Sequence, residues 1–385
     1  MRRPAILLIL PLALAAACGD SGRTPGVAAR RLENGAVLVS NPVHGTWTDA
    51  TAWRAVEELR VGSMDGVDAL AGPAALEVDA LGRLYVLDVE TKQVRVFDAA
   101  GRLVRSIGRE GRGPAEFVQP VGMAWSPGGL LWVLDPGQGR FTAFDTTGAP
   151  RRTLPHASGS VVMPWPGRFD RAGRLYDATG GSAPSLLRID AATGRSERLA
   201  LPVHEPERFV LDRDGTQHTA FVPFSPRLAW ALDGDGRVWS GTGDRYRLGL
   251  HAPGGDTLRI VERAAPPVPV SRAEREALPP ALKAFAEQGG RVDLSRIPRY
   301  KPAFTQVQVD DRGYLWVRPS LPAGEPNASF DVFEPEGRYL GRVHLPFPLL
   351  DALPWIVRGH HLYAVVLSDA GYPQIVRLRL HGRTP

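Results

Sequence analysis

Short runs in which apolar and polar residues alternate recur along most of the chain, and turns rich in Asp, Pro and Gly separate them. Three such runs follow one another between Gly82 and Gly108. Alternation with a period of two is typical of β-strands, because successive side chains point to opposite faces of a sheet. Turn residues of these types let the chain reverse between antiparallel strands. The pattern predicts an all-β chain built from tight hairpins.

The hairpin pattern is repeated along the chain. Each copy has a turn followed by an aromatic residue, and these aromatics are Tyr85, Trp132, Tyr176, Trp239, Trp316 and Tyr363. With the apolar run before each turn, a copy supplies four strands in roughly 45 residues, the size of a propeller blade. One such sheet cannot bury both of its faces, so the copies must stack around an axis. The sequence therefore predicts a six-bladed β-propeller of four-stranded antiparallel blades.

The limits of the blades follow from these repeats. We assign the blades to residues 73–118, 119–160, 161–204, 222–265, 301–347 and 350–385. The last copy lacks a fourth strand, whereas an unassigned alternating run at 53–62 stands before the first copy. We expect this N-terminal strand to complete blade six and close the ring, so that residues 51–385 form one propeller domain.

Two segments between blades are longer than the repeat requires. Residues 205–221 predict a protruding hairpin with a tight turn near Asp214. Residues 266–300, between blades four and five, predict a short helical insertion, because Ser271 and Glu274 form a capping box. Both insertions are expected on one rim of the ring, and loops on a rigid scaffold commonly carry function.

The first residues predict export. Arg2 and Arg3 precede an apolar run that is too short to span a bilayer and that ends in small residues. Residues 1–17 are therefore interpreted as a signal peptide, and Cys18 as the lipidated first residue of the mature protein. Ordinary cleavage after the alanines is the alternative. Residues 18–50 would then form a tether and lead-in, flexible at its start.

The expected location is the bacterial cell envelope. The small residues before Cys18 resemble a bacterial lipobox, and in lipoproteins an aspartate directly after the cysteine commonly signals retention in the inner membrane. Gly19 takes that place here and Asp20 follows it, which favours the outer membrane. The sequence does not determine whether the protein faces the periplasm or the cell surface.

Composition narrows the range of partners. The formal net charge is +5, but the basic residues are scattered among Asp and Glu and form no stripe, so nucleic acid is not an expected partner. A single cysteine excludes an internal disulfide and a thiolate metal site. We expect a monomer that is held at the membrane by its lipid.

Residues 73–150 strongly resemble the NHL-repeat group of six-bladed propellers. The matching residues are Gly82, Tyr85, Asp88, Val96, Phe97, Asp98, Gly101, Ile107 and Gly108. The stretch GREGRGPAEF at 108–117 is similar to a linker in bacterial propeller lipoproteins. The resemblance implies the fold. It implies no single function, since this ring serves both as a binding platform and as an enzyme.

No catalytic residue and no metal ligand is assigned. The nine histidines include no pair at the helical ligand spacing, and none falls on a predicted inner strand. No cofactor is predicted, although an axial zinc or calcium ion stays open, because some NHL-like lyases hold zinc at the axis. Asp88 and Asp135 are expected to accept hydrogen bonds from turn backbone.

The candidate binding residues stand on the innermost strands, eight positions before the aromatic of each repeat. This position is mixed and partly polar, and we select Glu77, Arg168, Gln308 and Trp355 as candidate lining of the axial channel. The alternative is that Glu77 and Arg168 only pair with each other or bind channel water.

The favoured function is that of an exported, membrane-anchored binding or interaction module for an unknown protein or small molecule. The alternative is a propeller enzyme of the lyase or lactonase-like hydrolase type that uses an axial metal. A third hypothesis, a structural scaffold within an envelope assembly, is not distinguished from a binding module by the sequence.

Overall fold

Six sheets stand around a common axis as the blades of a propeller. This computed structural model describes residues 26–156, 165–179, 185–202, 204–325, 328–351 and 353–382. The predicted signal peptide and Cys18, the predicted lipidation site, lie outside these ranges. Within them, no helix is long and apolar enough to cross a bilayer. The predicted six-bladed all-β architecture is confirmed.

Strands and helices are numbered along the chain. The strands before the first blade are β1 (Ala28–Arg31), β2 (Val37–Asn41) and β3 (Arg54–Val61). Blade one contains β4 (Pro73–Val78), β5 (Leu84–Asp88), β6 (Gln93–Phe97) and β7 (Leu103–Ile107). Blade two contains β8 (Gly122–Trp125), β9 (Leu131–Asp135), β10 (Arg140–Phe144) and β11 (Pro150–Pro155). Blade three contains β12 (Arg168–Phe169), β13 (Arg174–Thr179), β14 (Ser185–Asp190) and β15 (Ser196–Ala200).

The second half of the ring carries the insertions. The first insertion contains β16 (Arg208–Arg213) and β17 (Thr216–Phe221). Blade four contains β18 (Ala229–Leu232), β19 (Val238–Gly241), β20 (Arg247–His251) and β21 (Thr257–Arg263). The second insertion contains α1 (Arg272–Glu276) and α2 (Pro280–Glu287). Blade five contains β22 (Phe304–Val309), β23 (Leu315–Pro319), β24 (Ser329–Phe333) and β25 (Tyr339–His344). Blade six contains β26 (Trp355–Arg358), β27 (His361–Leu367) and β28 (Pro373–His381).

The turn after each inner strand explains the repeated aspartate and aromatic. In blade one, Asp79 Oδ1 accepts the backbone N–H groups of Leu81 and Arg83, both at 2.9 Å. Its other oxygen accepts the Tyr85 hydroxyl at 3.3 Å. Gly82 completes the turn with a φ of 74°, which a side chain would strain. The same bonds recur in blades three and five, so these repeat residues are architectural.

Neighbouring blades bury apolar faces against each other. Tyr85 and Leu87 of blade one pack with Met123 of blade two. The opposite face of blade one, which includes Val86, packs with Tyr363 of blade six. These side chains are almost completely buried, and full burial of one such side chain contributes about 1.5–3 kcal/mol. Each blade therefore depends on two neighbours, which only a closed ring provides.

β3 closes the ring by pairing antiparallel with β28, the last strand of the chain. The register runs from Val61 opposite Ile375 to Arg54 opposite His381. β3 thereby becomes the outer strand of blade six. The predicted completion of blade six by an N-terminal strand is confirmed.

β1 and β2 form a hairpin that extends blade four. β2 lies parallel to β21, so this blade has six strands. At the end of β2 the buried Asn41 side chain donates to the carbonyl oxygens of Glu262 and Gly337 and accepts the backbone N–H of Tyr339. The segment expected to be a tether and lead-in, residues 18–50, therefore contains regular structure that the sequence did not predict.

From β2 the chain crosses blade five to reach β3. The backbone N–H of Trp47 donates to the carbonyl of Leu340 in β25 at 2.7 Å. The Trp47 ring then packs on Trp53, with ring centroids 5.1 Å apart, and β3 follows. We call residues 28–61 the N-terminal strap, because they run along the outer edges of blades four, five and six.

A buried carboxylate joins blades four and five to this strap. Asp331 in β24 is fully buried and accepts the hydroxyls of Tyr246 and Tyr339 at 2.8 and 2.9 Å. Arg342 and Arg263 donate to the same carboxylate at 2.8 and 3.1 Å, and Arg263 also donates to a carbonyl of the strap. Burial and the Asp331 charge raise the pKa of both tyrosines, so these phenols stay protonated donors. The carboxylate thus cross-links three parts of the fold.

The two insertions fold against each other on the rim where the inner strands begin. β16 and β17 form the predicted hairpin, and its turn has positive φ at Asp214 (50°) and Gly215 (74°). α1 begins at the predicted capping box. Phe209 of the hairpin packs near Phe285 of α2, with ring centroids 6.4 Å apart. Hairpin and helices therefore share a small core of their own.

Deletion of residues 50–62 is expected to unfold the whole ring, because it removes β3 and with it the closure. Calorimetry and far-ultraviolet circular dichroism should show no cooperative transition near that of the full chain. The control Val56→Thr changes an exposed side chain of β3 and should shift Tm by no more than about 2 °C. A deletion variant that melts cooperatively at the temperature of the full chain would contradict this closure.

Candidate functional site in the axial cavity

The inner strands of the ring surround a cavity of about 390 Å³. Its walls combine apolar and polar surface, and the large apolar side chains among its lining include Leu76, Met123, Trp165, Trp230, Val307 and Trp355. The polar side chains that line it are Glu77, Arg168, Thr305, Gln306, Gln308, Asp351 and Arg358. All four residues selected from the sequence are therefore brought together around one cavity.

Glu77 forms an ion pair with a residue that the sequence did not indicate. Arg358, at the end of β26, donates to Glu77 Oε2 at 3.0 Å across the seam between blades six and one. Burial opposes the guanidinium charge, but Glu77 outweighs it and raises the pKa of Arg358. The two side chains therefore form an ion pair, which ties the last inner strand of the chain to the first.

Arg168 reaches across the axis from blade three. Its Nη1 donates to the carbonyl oxygens of Leu232 and Val309, at 2.6 and 3.3 Å, which end the inner strands of blades four and five. Burial and the nearby charge of Arg358 lower the pKa of Arg168 to about 10. The alternative in which Glu77 pairs with Arg168 is not what the described residues show, because Glu77 pairs with Arg358. Glu77, Arg168 and Arg358 together form what we call the polar end of the cavity.

Gln308 offers an unused acceptor. Its Nε2 donates to the backbone carbonyl of Trp355 at 3.3 Å. Its Oε1 is buried and has no hydrogen-bond partner in the described part of the chain. Because a carbonyl oxygen can only accept, the Trp355 contact fixes the orientation of the Gln308 amide and leaves Oε1 as the free group.

Trp355 lies on the opposite face of its strand from the other three candidates. In blades one to five the residue eight positions before the aromatic pairs with it, as Gln308 does with Trp316. The inner hairpin of blade six is one residue shorter, so Tyr363 pairs with Ile356 instead. The counting rule is therefore wrong for blade six. The Trp355 ring packs on Phe330, with centroids 4.3 Å apart, while still lining the cavity.

A second cavity, of about 600 Å³, adjoins the axial one on the insertion rim. The two share Thr305, Gln306 and Asp351 as lining. At this border Arg318 Nη1 and Asp351 Oδ1 form an ion pair at 2.6 Å. Segments that flank both insertions contribute to the second cavity, among them Phe224 and Lys301. We call it the rim cavity, and it is the side from which the insertions border the axial site.

The other acidic candidates are structural. Asp88 accepts the backbone N–H groups of Ala71 and Gly72 at 2.8 and 3.1 Å. Asp135 accepts those of Val118 and Gln119 at 2.8 and 2.9 Å. The expectation that these aspartates bind turn backbone is confirmed. Over the residues that the structure describes, no three His, Cys, Asp or Glu side chains are grouped so that they could hold a metal ion.

Comparison with known proteins supports the fold. Residues 72–164 match the model of the DUF5128 family, which is described as a 6-bladed β-propeller. No curated protein gives a significant sequence match to the chain. A DUF4221-family protein of Bacteroides vulgatus is similar in structure, with a TM-score of 0.51 and 12% identity over 87% of this chain and 100% of that one.

Two further structures are more distant. A protein of Bacteroides fragilis described as exported has a TM-score of 0.48 and 11% identity, over 89% of this chain and 99% of that one. A catalytically inactive virginiamycin B lyase of Staphylococcus aureus, solved with quinupristin, has a TM-score of 0.43 and 11% identity, over 86% and 99%. At these identities a structural likeness concerns the fold alone.

Breaking the ion pair at the polar end is expected to destabilise the ring. Glu77→Gln or Arg358→Met alone leaves a partly buried charge without its partner, which costs about 3 kcal/mol. The double variant removes both charges and should recover most of that loss. Urea denaturation measures the free energy of unfolding of all three variants. Glu57→Gln, which breaks an exposed pair with Arg60, is the control and should cost less than about 1 kcal/mol. Additive losses in the double variant would show that the pair is not coupled.

Proposed function

We propose that this chain is an exported, membrane-anchored β-propeller that serves as a binding module and holds a small molecule in its axial cavity. The make-up of that cavity carries the proposal. Small-molecule sites commonly have volumes of roughly 300–1,000 Å³ and apolar walls with a few converging polar groups. The axial cavity has about 390 Å³, and three indole rings line it beside the free Gln308 oxygen.

The position of the cavity also supports binding. Its lining comes from the inner strands of the blades, which the closed ring holds in place. The border with the rim cavity is formed by polar side chains, among them Gln306 at the start of β22 and Asp351, which is paired with Arg318. A rigid site beside variable loops is the usual arrangement for recognition on such scaffolds. The NHL-like repeat is consistent with a platform of this kind.

The anchoring part of the proposal depends on the sequence. The short apolar run and the small residues before Cys18 support lipidation of a mature N-terminus at that cysteine. Gly19 after the cysteine supports the outer membrane. The strap then begins at Ala28, which leaves a short stretch between the lipid and the ring.

A fragment screen with a filled-cavity control tests the binding function. Ala231 lines the cavity, and Ala231→Trp is expected to fill it, whereas Ala80→Trp places the same ring on an exposed turn. Fragments that raise the Tm of the native chain and of Ala80→Trp, but not of Ala231→Trp, support the proposal. At about 100 times its Kd a fragment stabilises the folded state by about 2.7 kcal/mol.

Two results would count against this function. A screen in which no fragment is sensitive to filling of the cavity, either by Ala231→Trp or by the smaller Ala231→Leu, would contradict binding there. Stoichiometric zinc or calcium in the purified protein, measured by elemental analysis, would favour the alternative of a metal-dependent propeller enzyme.

Cys18→Ser is expected to move the protein from the membrane fraction to the soluble fraction, because the thiol that carries the lipid is absent. Fractionation and incorporation of labelled fatty acid measure the effect in a bacterial host. Ser21→Ala is the matched control and should remain in the membrane fraction with its label. A Cys18→Ser protein that still incorporates the label would show that Cys18 is not the anchor.

A further inference from the structure

Four charged side chains line the axial cavity, and three of them have a charged partner. Glu77 pairs with Arg358, and Asp351 pairs with Arg318 of the rim cavity. Arg168 is the fourth, and its Nη1 donates only to backbone carbonyls. The cavity therefore carries one guanidinium charge that no carboxylate of its lining neutralises.

Two carboxylates near Arg168, those of Glu77 and Asp233, favour its charged form, but neither is its hydrogen-bond partner. Glu77 is bound by Arg358, and Asp233, directly after β18, is held by Arg237 at 2.6 Å. Arg171 forms an ion pair with Asp235, and Arg358 adds a further positive charge. An uncompensated buried charge is costly unless a counter-ion or hydrogen bonds replace its hydration. At neutral pH Arg168 stays protonated, since its pKa of about 10 is still well above 7.

Resting on the small-molecule function proposed above, we propose that the ligand of the axial cavity is an oxyanion with an apolar body, and that Arg168 neutralises its charge. Arginine presents several N–H donors in one plane, which suits carboxylate and phosphate oxygens alike. The carbonyl bonds of Arg168 occupy Nη1, which leaves donors of the guanidinium for a ligand.

Gln308 adds a second requirement for the ligand. Its free Oε1 accepts a hydrogen bond, and it belongs to the residue next to Val309, whose carbonyl Arg168 contacts. An O–H or N–H group of the ligand would supply the partner that this oxygen lacks. Trp165 and Trp230 offer indole surface to the rest of the molecule. A hydroxylated aromatic carboxylate combines these three features.

Matched naphthalene probes test this inference by titration calorimetry. We expect 2-naphthoate to bind the native chain at least about tenfold more tightly than the neutral 2-naphthamide, because only the anion neutralises Arg168. 3-Hydroxy-2-naphthoate should bind more tightly still, through Gln308. 2-Naphthyl phosphate shows whether the site prefers a phosphate to a carboxylate.

Variants separate Arg168 from a general attraction to anions. Arg168→Met should bring naphthoate and naphthamide to within about twofold of each other while affinity for the amide is retained. Arg171→Met removes an exposed guanidinium nearby and should leave the gap unchanged. Gln308→Leu should abolish the advantage of the hydroxyl group alone, and it provides an independent measurement if Arg168→Met does not fold.

The outcomes distinguish this inference from the function on which it rests. Equal binding of naphthoate and naphthamide, or a gap that survives in Arg168→Met, overturns the oxyanion inference and leaves cavity binding intact. The oxyanion inference is also overturned if neither 2-naphthoate nor 2-naphthamide binds while neutral fragments do. Failure of every probe and fragment contradicts the small-molecule function itself.

Discussion

The pairing of β3 with β28 is the contact on which the rest of the molecule depends. Every blade has two apolar faces, and each face is buried only against the next blade. A gap between any two blades would expose one apolar face of each. The area lost from burial would include part of their inner strands. Since β3 supplies the outer strand of blade six, backbone hydrogen bonds inside that blade join the two ends of the ring, and the completed blade then packs against blade one.

The axial cavity is a product of the same closure. Its polar end is built across the seam, because Arg358 belongs to the last blade and Glu77 to the first. Arg168 extends this cross-linking to the inner strands of blades four and five through their terminal carbonyls. Stability and the candidate site are therefore not independent, and the charged groups at the axis serve both. A ligand would bind to those axial groups whose charge or hydrogen-bonding capacity the protein itself leaves unsatisfied.

The repeat made much of the fold predictable from sequence. Periodic spacing identified the blades, and the short run at 53–62 was recognised because blade six lacked a strand. Counting back from the aromatic also placed Glu77, Arg168 and Gln308 on the axis, since their hairpins have one common length. The count failed at Trp355, where the hairpin is one residue shorter.

Other features could not be read from the pattern. The hairpin of β1 and β2 does not belong to the repeat, and its partner strand lies more than 200 residues away, so local alternation gave no hint of the pairing. Arg358 was missed because the count from the aromatic is off by one residue in blade six. In the observed register Arg358 itself takes the place of the turn aspartate, two residues after Ile356 as Asp79 is two residues after Glu77. Which of several charges pair with each other depends on distances across the axis, which spacing along one strand does not encode.

β3, the last part of the N-terminal strap, is synthesised long before the strand with which it pairs. Arg60 of β3 contacts Gln374, 314 positions further on, so β3 stays an unpaired strand until β28 exists. Contacts of such separation make folding slow, and an open edge meanwhile invites pairing with other chains. β3 carries four charged residues, Arg54, Glu57, Glu58 and Arg60, which discourage such wrong partners. The sequence of this strand therefore serves the period before the ring exists as well as the finished ring.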